Sequence, residues 1–292
     1  METEKLKSHP CFGTQCQPTT GRIHLPVAKD CNIFCRFCAR GESLGLNRPG
    51  QAARAISPAE AVSVVETALR LCPGLKVVGV AGPGDPLDSG EALDALTMVR
   101  VRFPGLMTCL STNGLALCRN MERVMAAGVE TITVTVNAVN PRILERLNRG
   151  VLMGKGGTPA RFVGGLEGAG LLIDAQEKGI RLAHRNRMVV KVNCVLAPGI
   201  NDGHVGEVAK TVKSWGADLL NVISLIPAGE LAGLPAPGEA DKARAMAAAE
   251  KHLPVKRNCR RCRADACGVP GLSDFSREIY GELGPAETFS HG

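Results

Sequence analysis

The chain has 292 residues, of which 45% are hydrophobic and 22% are charged, a composition that supports a sizeable folded core and excludes general disorder. It contains no apolar run long enough to span a membrane and no apolar signal core near its first residues, so we expect a cytoplasmic protein. The net charge of +7 allows an anionic substrate or an acidic partner, whereas an aromatic content of 3% argues against nucleic-acid binding by base stacking.

Six short apolar segments predict β-strands that are buried on both faces, because each is rich in Val, Ile or Leu. They are residues 22–28, 76–81, 106–111, 131–136, 189–195 and 219–226. Segments of helical periodicity lie between and after them, at residues 57–71, 91–102, 117–127, 141–148, 160–178, 202–215 and 239–252. The clearest helix start combines Ser57 and Glu60 in a capping box, with Pro58 at the first helical position.

This alternation of strands and helices predicts an α/β fold, a partial (β/α)6 barrel of the TIM type with parallel strands. The Gly-rich residues 150–157 are predicted to form a long loop, and residues 227–238 are predicted to mark the end of the barrel. We therefore divide the chain into an N-terminal cysteine-bearing extension (1–20), a barrel core (21–230) and a C-terminal cysteine-bearing tail (231–292).

The chain has twelve cysteines, and clustered thiols in a reducing compartment are typical of metal or catalytic sites. Cys31, Cys35 and Cys38 follow the first predicted strand. Their spacing lets one loop supply thiolates to three corners of a cubane iron–sulfur cluster, which leaves the fourth iron open for a substrate or cofactor. A zinc site and three packed thiols are the alternatives.

The spacing of these three cysteines, with Phe37 before the last of them, resembles the signature of the radical S-adenosylmethionine (SAM) superfamily. The resemblance implies that Cys31, Cys35 and Cys38 hold a catalytic 4Fe-4S cluster whose open iron binds SAM. It also implies that one electron from the cluster cleaves SAM to methionine and a 5′-deoxyadenosyl radical, so that the cofactor supplies the difficult chemistry.

The residues that follow the predicted strands fit the same resemblance, because ligands bind at the carboxyl ends of barrel strands. Gly82, Pro83, Gly84 and Asp85 are similar to the superfamily's Gly-Gly-Glu-Pro motif, although a simple turn is the alternative. Polar side chains at later strand ends are predicted to bind the carboxylate and ribose of SAM, unless neighbouring backbone groups satisfy them. These residues are Ser111, Asn113, Asn137 and Asn193.

Further motifs, spread from about residue 9 to residue 270, resemble the NifB family, whose members mature the nitrogenase cofactor. They include His9-Pro10-Cys11 near the start, residues 191–193 followed by residues 198–202, and a tail motif that contains Cys259 and Cys262. The resemblance is to a short or divergent member of the family without the fused C-terminal NifX-like domain.

This second resemblance implies a reaction in which two further 4Fe-4S clusters are fused around a carbide that SAM supplies. By position, Cys11 and Cys109 match ligands of one substrate cluster, Cys259 and Cys262 match ligands of the other, and His24 matches a histidine in the same region. Soft thiolates are the anchors that an iron–sulfur substrate requires. The implied partners are an iron–sulfur cluster donor, a carrier or scaffold protein, and a reductant such as ferredoxin or flavodoxin, with no membrane and no nucleic acid.

Two stretches depart from the family pattern. Residues 39–45 lack a cysteine that the family usually carries after the triplet, and Cys16 lies in a stretch that differs from the family, which makes it a candidate substitute ligand. One or two additional clusters are therefore expected. A radical SAM enzyme that acts on another metallocofactor, a peptide or an RNA remains an alternative, as does a non-catalytic zinc or iron–sulfur module.

Overall fold

The structure is a computed structural model that describes residues 9–13, 19–38, 50–154, 160–257, 259 and 262–282. Its main sheet contains six parallel strands, each short and largely buried, as predicted. They are β1 (Gly21–His24), β3 (Leu75–Val80), β4 (Met107–Thr112), β5 (Thr131–Thr135), β8 (Val189–Leu196) and β9 (Leu219–Ser224). A two-residue strand near the C-terminus, β10 (Cys267–Gly268), pairs antiparallel with β1 and closes one edge, so the order is β10-β1-β3-β4-β5-β8-β9.

Helices follow the parallel strands and cover the sheet. They are α1 (Ala61–Leu71), α2 (Glu91–Arg102), α3 (Leu117–Ala126), α4 (Pro141–Leu144), α5 (Gly165–Arg185), α6 (Val205–Trp215), α7 (Glu239–Glu250) and α8 (Ser276–Tyr280). Short 3-10 turns lie at Pro58–Glu60 and Gly229–Leu231. The Glu60 carboxylate accepts a hydrogen bond from the Ser57 backbone N–H at 2.8 Å, which confirms the capping interaction that begins this helical segment. The six βα units confirm the partial TIM-like barrel.

A second, three-stranded sheet was not predicted. It consists of β2 (Ile33–Cys35), β6 (Asn148–Met153) and β7 (Arg161–Gly164), all paired antiparallel in the order β2-β6-β7. The prediction of a helix to residue 148, a loop at 150–157 and a helix from residue 160 was wrong where β6 and β7 lie. The glycines of these strands weaken any local strand signal, but Gly150 permits a close approach, because a Cβ there would lie 2.4 Å from the Val163 carbonyl oxygen.

The C-terminal residues pack back onto the first barrel strand. The Tyr280 hydroxyl donates a hydrogen bond to the His24 carbonyl oxygen at 2.7 Å, and Arg22 in β1 donates to the carbonyl of Gly268 in β10 at 3.0 Å. The ends of the described chain therefore meet at one edge of the barrel. The predicted domain boundaries at residues 20 and 230 stay predictions. Within the described residues, no helix is both long enough and apolar enough to cross a bilayer.

Candidate active site

The cysteine triplet lies on a loop that the second sheet holds in place. Cys31 and Cys35 are buried and Cys38 is half-buried. Strand β2 contains Cys35 and pairs with β6, while the Leu152 N–H donates to the Asn32 carbonyl at 2.7 Å. The unpredicted sheet therefore gives the three-thiol loop a rigid support on one side.

A second support comes from the 3-10 turn at Gly229–Leu231. The Glu230 N–H donates to the Arg36 carbonyl at 2.8 Å, and the Arg36 guanidinium forms an ion pair with the Glu230 carboxylate. Gly229 has a φ of +54°, and a Cβ there would lie 2.7 Å from the carbonyl oxygens of both Arg36 and Cys38. Only glycine satisfies both the left-handed conformation and the close approach to the triplet loop.

The loop after β3 packs directly against the segment that leads into the triplet. The Gly84 N–H donates to the Ala28 carbonyl at 2.6 Å, and the Asp85 N–H donates to the Asp30 carbonyl at 2.8 Å. A Cβ on Gly84 would lie 2.0 Å from the Asp30 carbonyl oxygen, so only glycine fits there. These contacts fix the position of Cys31 relative to the carboxyl end of β3.

The Asp85 carboxylate points into the protein interior, where it connects two strand ends. It is fully buried, and it accepts hydrogen bonds from the Leu87 N–H at 2.9 Å, the Thr112 hydroxyl at 2.9 Å and the Asn113 N–H at 2.6 Å. Burial raises the pKa of Asp85 to about 6, although these hydrogen bonds oppose the shift. Gly82, Pro83 and Gly84 are buried beside it. Their predicted contact with SAM stays a prediction.

The polar residues at the later strand ends separate into three groups. The Asn113 amide donates to the Cys31 sulfur at 3.7 Å and to the Asn32 side-chain oxygen at 2.7 Å, which places it against the triplet. Ser111 and Asn193 line the large cavity described next. Asn137 instead stabilises the end of β8, because its side-chain oxygen accepts from the Val195 N–H at 2.9 Å.

A cavity of about 410 Å³ lies at the carboxyl end of the barrel strands. Phe37, the residue before the last triplet cysteine, forms part of its wall, so the cavity reaches the triplet loop. Five residues that were predicted as ligands of substrate clusters also line it, namely Cys11, His24, Cys109, Cys259 and Cys262. The fold thus brings together residues from the N-terminal segment, two barrel strands and the tail.

The cavity thiols lie close enough to influence one another. Burial raises the pKa of Cys109 to about 11, and the nearby Cys11 thiol adds to that shift. Burial also raises the pKa of Cys262, to which Cys11 and Cys259 contribute while Arg22 opposes them. Cys11 therefore lies near two other cavity thiols, those of Cys109 on β4 and Cys262 in the tail.

The thiols are nevertheless not arranged around a point. Among the residues that the structure describes, no three His, Cys, Asp or Glu side chains lie close enough together to hold a single metal ion. A mononuclear zinc site needs such convergence of about four ligands.

The His24 side chain is oriented by its surroundings. Its Nδ1 lies 3.0 Å from the Arg263 carbonyl oxygen, so Nδ1 carries the proton and donates to that oxygen. A metal-binding histidine typically uses this arrangement, because the carbonyl fixes the tautomer in which Nε2 carries the lone pair. The hydrogen bond from Tyr280 holds the His24 backbone as well.

Sequence reasoning assigned no site role to several cavity residues that bring charge or hydrogen-bond donors. His9, Arg22, Lys191 and Asn221 are all buried in the cavity wall. The signal that could have found Lys191 and Arg22 is a charged side chain within an otherwise apolar strand, which is costly to bury without a partner. The Asn221 amide donates to the Cys259 sulfur at 3.3 Å and to the Asn193 oxygen at 3.1 Å. The candidate ligand Cys16 and the variant stretch 39–45 lie outside the described residues.

Comparison with known proteins identifies the family. Residues 25–212 match the Radical SAM superfamily. The chain is 40% identical over 279 residues to the FeMo cofactor biosynthesis protein NifB of Methanocaldococcus infernus, covering 95% of this chain and 90% of that protein. The chain belongs to the NifB family of radical SAM proteins. The NifB of Methanocaldococcus jannaschii is 39% identical over 293 residues, which cover 98% of this chain and 96% of that protein.

Solved structures agree with this fold. A radical SAM methyltransferase from Sphaerobacter thermophilus aligns with a TM-score of 0.57 and 21% sequence identity, over 82% of this chain and 66% of that protein. Radical SAM membership implies a 4Fe-4S cluster and SAM. The triplet loop fits that cluster, because three thiols share one supported loop and the Asn113 amide donates to one of their sulfurs.

Proposed function

We propose that this NifB-family protein fuses two 4Fe-4S clusters and inserts a SAM-derived carbide, producing the iron–sulfur core precursor of a nitrogenase cofactor. One observation carries the proposal: four cysteines and a histidine from distant parts of the chain line a cavity that reaches the cysteine triplet. The relatives that match almost the whole chain are FeMo cofactor biosynthesis proteins, which supports a role in making such a cofactor.

In this proposal the triplet and the cavity have separate roles. Cys31, Cys35 and Cys38 hold the resident cluster, and Gly84 and Asp85 fix their loop against the end of β3. The resident cluster would supply the electron for the cleavage of SAM. Ser111, Asn113, Asn137 and Asn193, together with residues 82–85, are the proposed SAM contacts.

The cavity residues hold the substrate clusters. Cys11 and Cys109 are the proposed ligands of one cluster, and Cys259 and Cys262 are those of the other. His24 is a further ligand, and its hydrogen bond to the Arg263 carbonyl leaves Nε2 as the ligating nitrogen.

The partners proposed for this reaction are a donor of iron–sulfur clusters, a carrier or scaffold protein that accepts the product, and a reductant of the ferredoxin or flavodoxin type. The enzyme class is a lyase or transferase that acts in the cytoplasm. The division into a 1–20 extension, a 21–230 core and a 231–292 tail is also proposed, with the two substrate clusters held where the three parts meet.

Anaerobic reconstitution tests the proposal. The chain should bind about twelve iron atoms with matching sulfide, and reduced protein should convert SAM to both 5′-deoxyadenosine and S-adenosylhomocysteine. About four iron atoms per chain would contradict the cluster-fusion reaction and favour a radical SAM enzyme with another substrate. Zinc without sulfide would contradict radical SAM chemistry altogether.

A further inference from the structure

The cavity contains a buried histidine whose donor has no partner. His9 is 1% exposed, and its Nδ1 accepts a hydrogen bond from the Cys11 N–H at 3.0 Å. The imidazole proton must then be on Nε2. This Nε2 atom is buried and has no hydrogen-bond partner among the described residues. A buried donor of this kind is costly unless a ligand completes it.

Arg22 is the second such group. It lies in β1, is 7% exposed, and uses one terminal nitrogen to donate to the Gly268 carbonyl at 3.0 Å. The nearby Cys262 and Cys11 thiols raise the pKa of Arg22, although burial opposes this shift. Its Nε atom is buried without a partner in the described part of the chain, and no described carboxylate lies within 4.0 Å of the guanidinium. A buried guanidinium without a carboxylate indicates another source of negative charge.

Lys191 is a third buried residue in the cavity wall, and it brings a positive charge. Its ammonium donates to the Cys11 carbonyl at 3.1 Å and lies 4.7 Å from the centre of the Phe12 ring. An ammonium has three donors, and within the described ranges none of them meets a carboxylate. Lys191 also influences the pKa of Cys109, so its charge lies beside the predicted cluster ligands.

Basic side chains predominate among the charged residues of the cavity wall. Its charged side chains are basic except for Glu239, which is exposed at the rim. The basic members are Arg22, Lys191, Lys242, Lys256 and Arg263. Arg263 is paired with the buried Asp265 at 2.7 Å. The interior of the cavity is therefore suited to a ligand with several negative charges and many hydrogen-bond acceptors.

We propose that His9, Arg22 and Lys191 form a donor set that binds the inorganic sulfides of an anionic iron–sulfur cluster substrate. This inference rests on the proposed function, since it identifies the residues that recognise the substrate of that same cavity. Thiolate-ligated clusters carry net negative charge, and hydrogen bonds to their sulfurs tune their potential. Neighbouring thiolates account for part of the positive charge, but they leave His9 Nε2 and Arg22 Nε without acceptors.

The donor set and the thiols have different effects on the substrate cluster. Cysteines attach the iron atoms, whereas Lys191 stabilises the added negative charge of the reduced substrate cluster. Removing this charge should make the substrate cluster harder to reduce and shift its midpoint potential to a more negative value. The resident cluster on the triplet loop should keep its potential.

The test compares the full-length wild type with Lys191→Met, Lys191→Arg and His9→Phe after anaerobic reconstitution. Iron and sulfide are counted, and the clusters are titrated potentiometrically by electron paramagnetic resonance. A Cys35→Ala variant, which lacks one thiol of the triplet, identifies the signals of the resident cluster by their loss and so separates the two kinds of signal. Lys76→Met is the matched control, because Lys76 is an exposed lysine on β3.

We expect Lys191→Met and His9→Phe to shift the substrate-cluster potential negatively, and Lys191→Arg to restore it. Lys76→Met should match the wild type. Loss of iron in Lys191→Met with an unchanged potential in the remaining clusters, and no shift in His9→Phe, would overturn the inference and leave Lys191 as a support for residues 9–13. A wild type that binds only about four iron atoms would instead contradict the proposed function itself.

Discussion

The triplet loop and the cavity behind it are built in opposite ways. Cys31, Cys35 and Cys38 lie within eight residues of one another, and local loop geometry gathers them. Cys11 and Cys262 lie near opposite ends of the described chain, yet both line one cavity. There the Cys11 thiol contributes to the raised pKa of Cys262. A compact motif can be recognised in the sequence, whereas a composite site exists only when the chain ends return to the barrel.

The two regions also differ in their electrostatics. In the triplet loop the Arg36 guanidinium is part-exposed and paired with Glu230, and the Asn113 amide donates to the Cys31 sulfur. The cavity contains buried cations that lie beside its thiols. Cations lower the pKa of nearby thiols and favour the thiolate that binds iron, which partly offsets the effect of burial. The basic lining of the cavity therefore favours an anionic ligand, whereas the triplet loop presents three neighbouring thiols.

The largest effect should separate the two regions outright. Cys35→Ala removes one of three thiolates on the triplet loop and should abolish the reductive cleavage of SAM, while the cavity still loads iron. The formation of 5′-deoxyadenosine measures the cleavage of SAM, and the iron content measures the loading of the cavity. Cys118→Ala, which changes an exposed thiol, is the control. Equal loss of cavity iron in Cys35→Ala would show that the regions are not independent.

The reverse substitution should give the reverse result. Cys259→Ala should lose about four iron atoms per chain and keep uncoupled cleavage of SAM, because its thiol lies in the cavity wall and not on the triplet loop. Iron analysis and product detection by chromatography check this. If Cys259→Ala and Cys35→Ala behave alike, the division of roles is wrong.

Asp85 connects the compact region to the sheet, and it makes that region dependent on pH. Its pKa is raised to about 6 from a value of 3.8 because it is buried, so folding favours the protonated carboxyl. Its stabilising contribution is complete below pH 3.8 and is lost as the pH rises through about 6. Relative to Asp85→Asn, the wild type should therefore lose about 3 kcal/mol of unfolding free energy over this window.

Urea unfolding at a series of pH values, under anaerobic conditions, measures this difference. Groups shared by the wild type and Asp85→Asn cancel in the comparison, so the remaining slope belongs to residue 85. A difference in unfolding free energy that is independent of pH would show that the Asp85 carboxyl does not change its charge in this range.

Gly229 tests how firmly the turn supports the triplet loop. Gly229→Ala should destabilise the protein by about 2 kcal/mol, because alanine is strained at a φ of +54° and its Cβ would meet the carbonyls of Arg36 and Cys38. The occupancy of the resident cluster should fall as well. Gly233→Ala is the matched control, since a Cβ there meets nothing within 4 Å. Thermal unfolding and iron analysis measure the two effects. If Gly229→Ala and Gly233→Ala behave alike, the turn does not support the triplet loop.

The smallest effect concerns the composite site. Tyr280→Phe removes the hydrogen bond to the His24 carbonyl and should cost about 1 kcal/mol of unfolding free energy. Cavity iron should decrease slightly, whereas the resident cluster should be unaffected. Chemical denaturation measures the first effect and iron analysis the second. A larger loss of resident than of cavity iron would argue against a positioning role for Tyr280.

The sequence by itself determined the features that depend on near neighbours. The six parallel strands follow from short apolar segments, the helix start at Ser57 follows from its capping partner Glu60, and the triplet follows from spacing alone. Resemblance to a known family added the distant cysteines. None of these inferences required knowledge of which residues meet across the fold.

Only the tertiary structure decided the rest. Strands β6 and β7 form because β2 offers them a partner, although their glycines disfavour strands locally. The Asp85 carboxylate points into the interior because the N–H groups of Leu87 and Asn113 donate hydrogen bonds to it there. His9, Arg22 and Lys191 could be assigned a shared role only from the structure, because their burial around one cavity is a property of long-range packing.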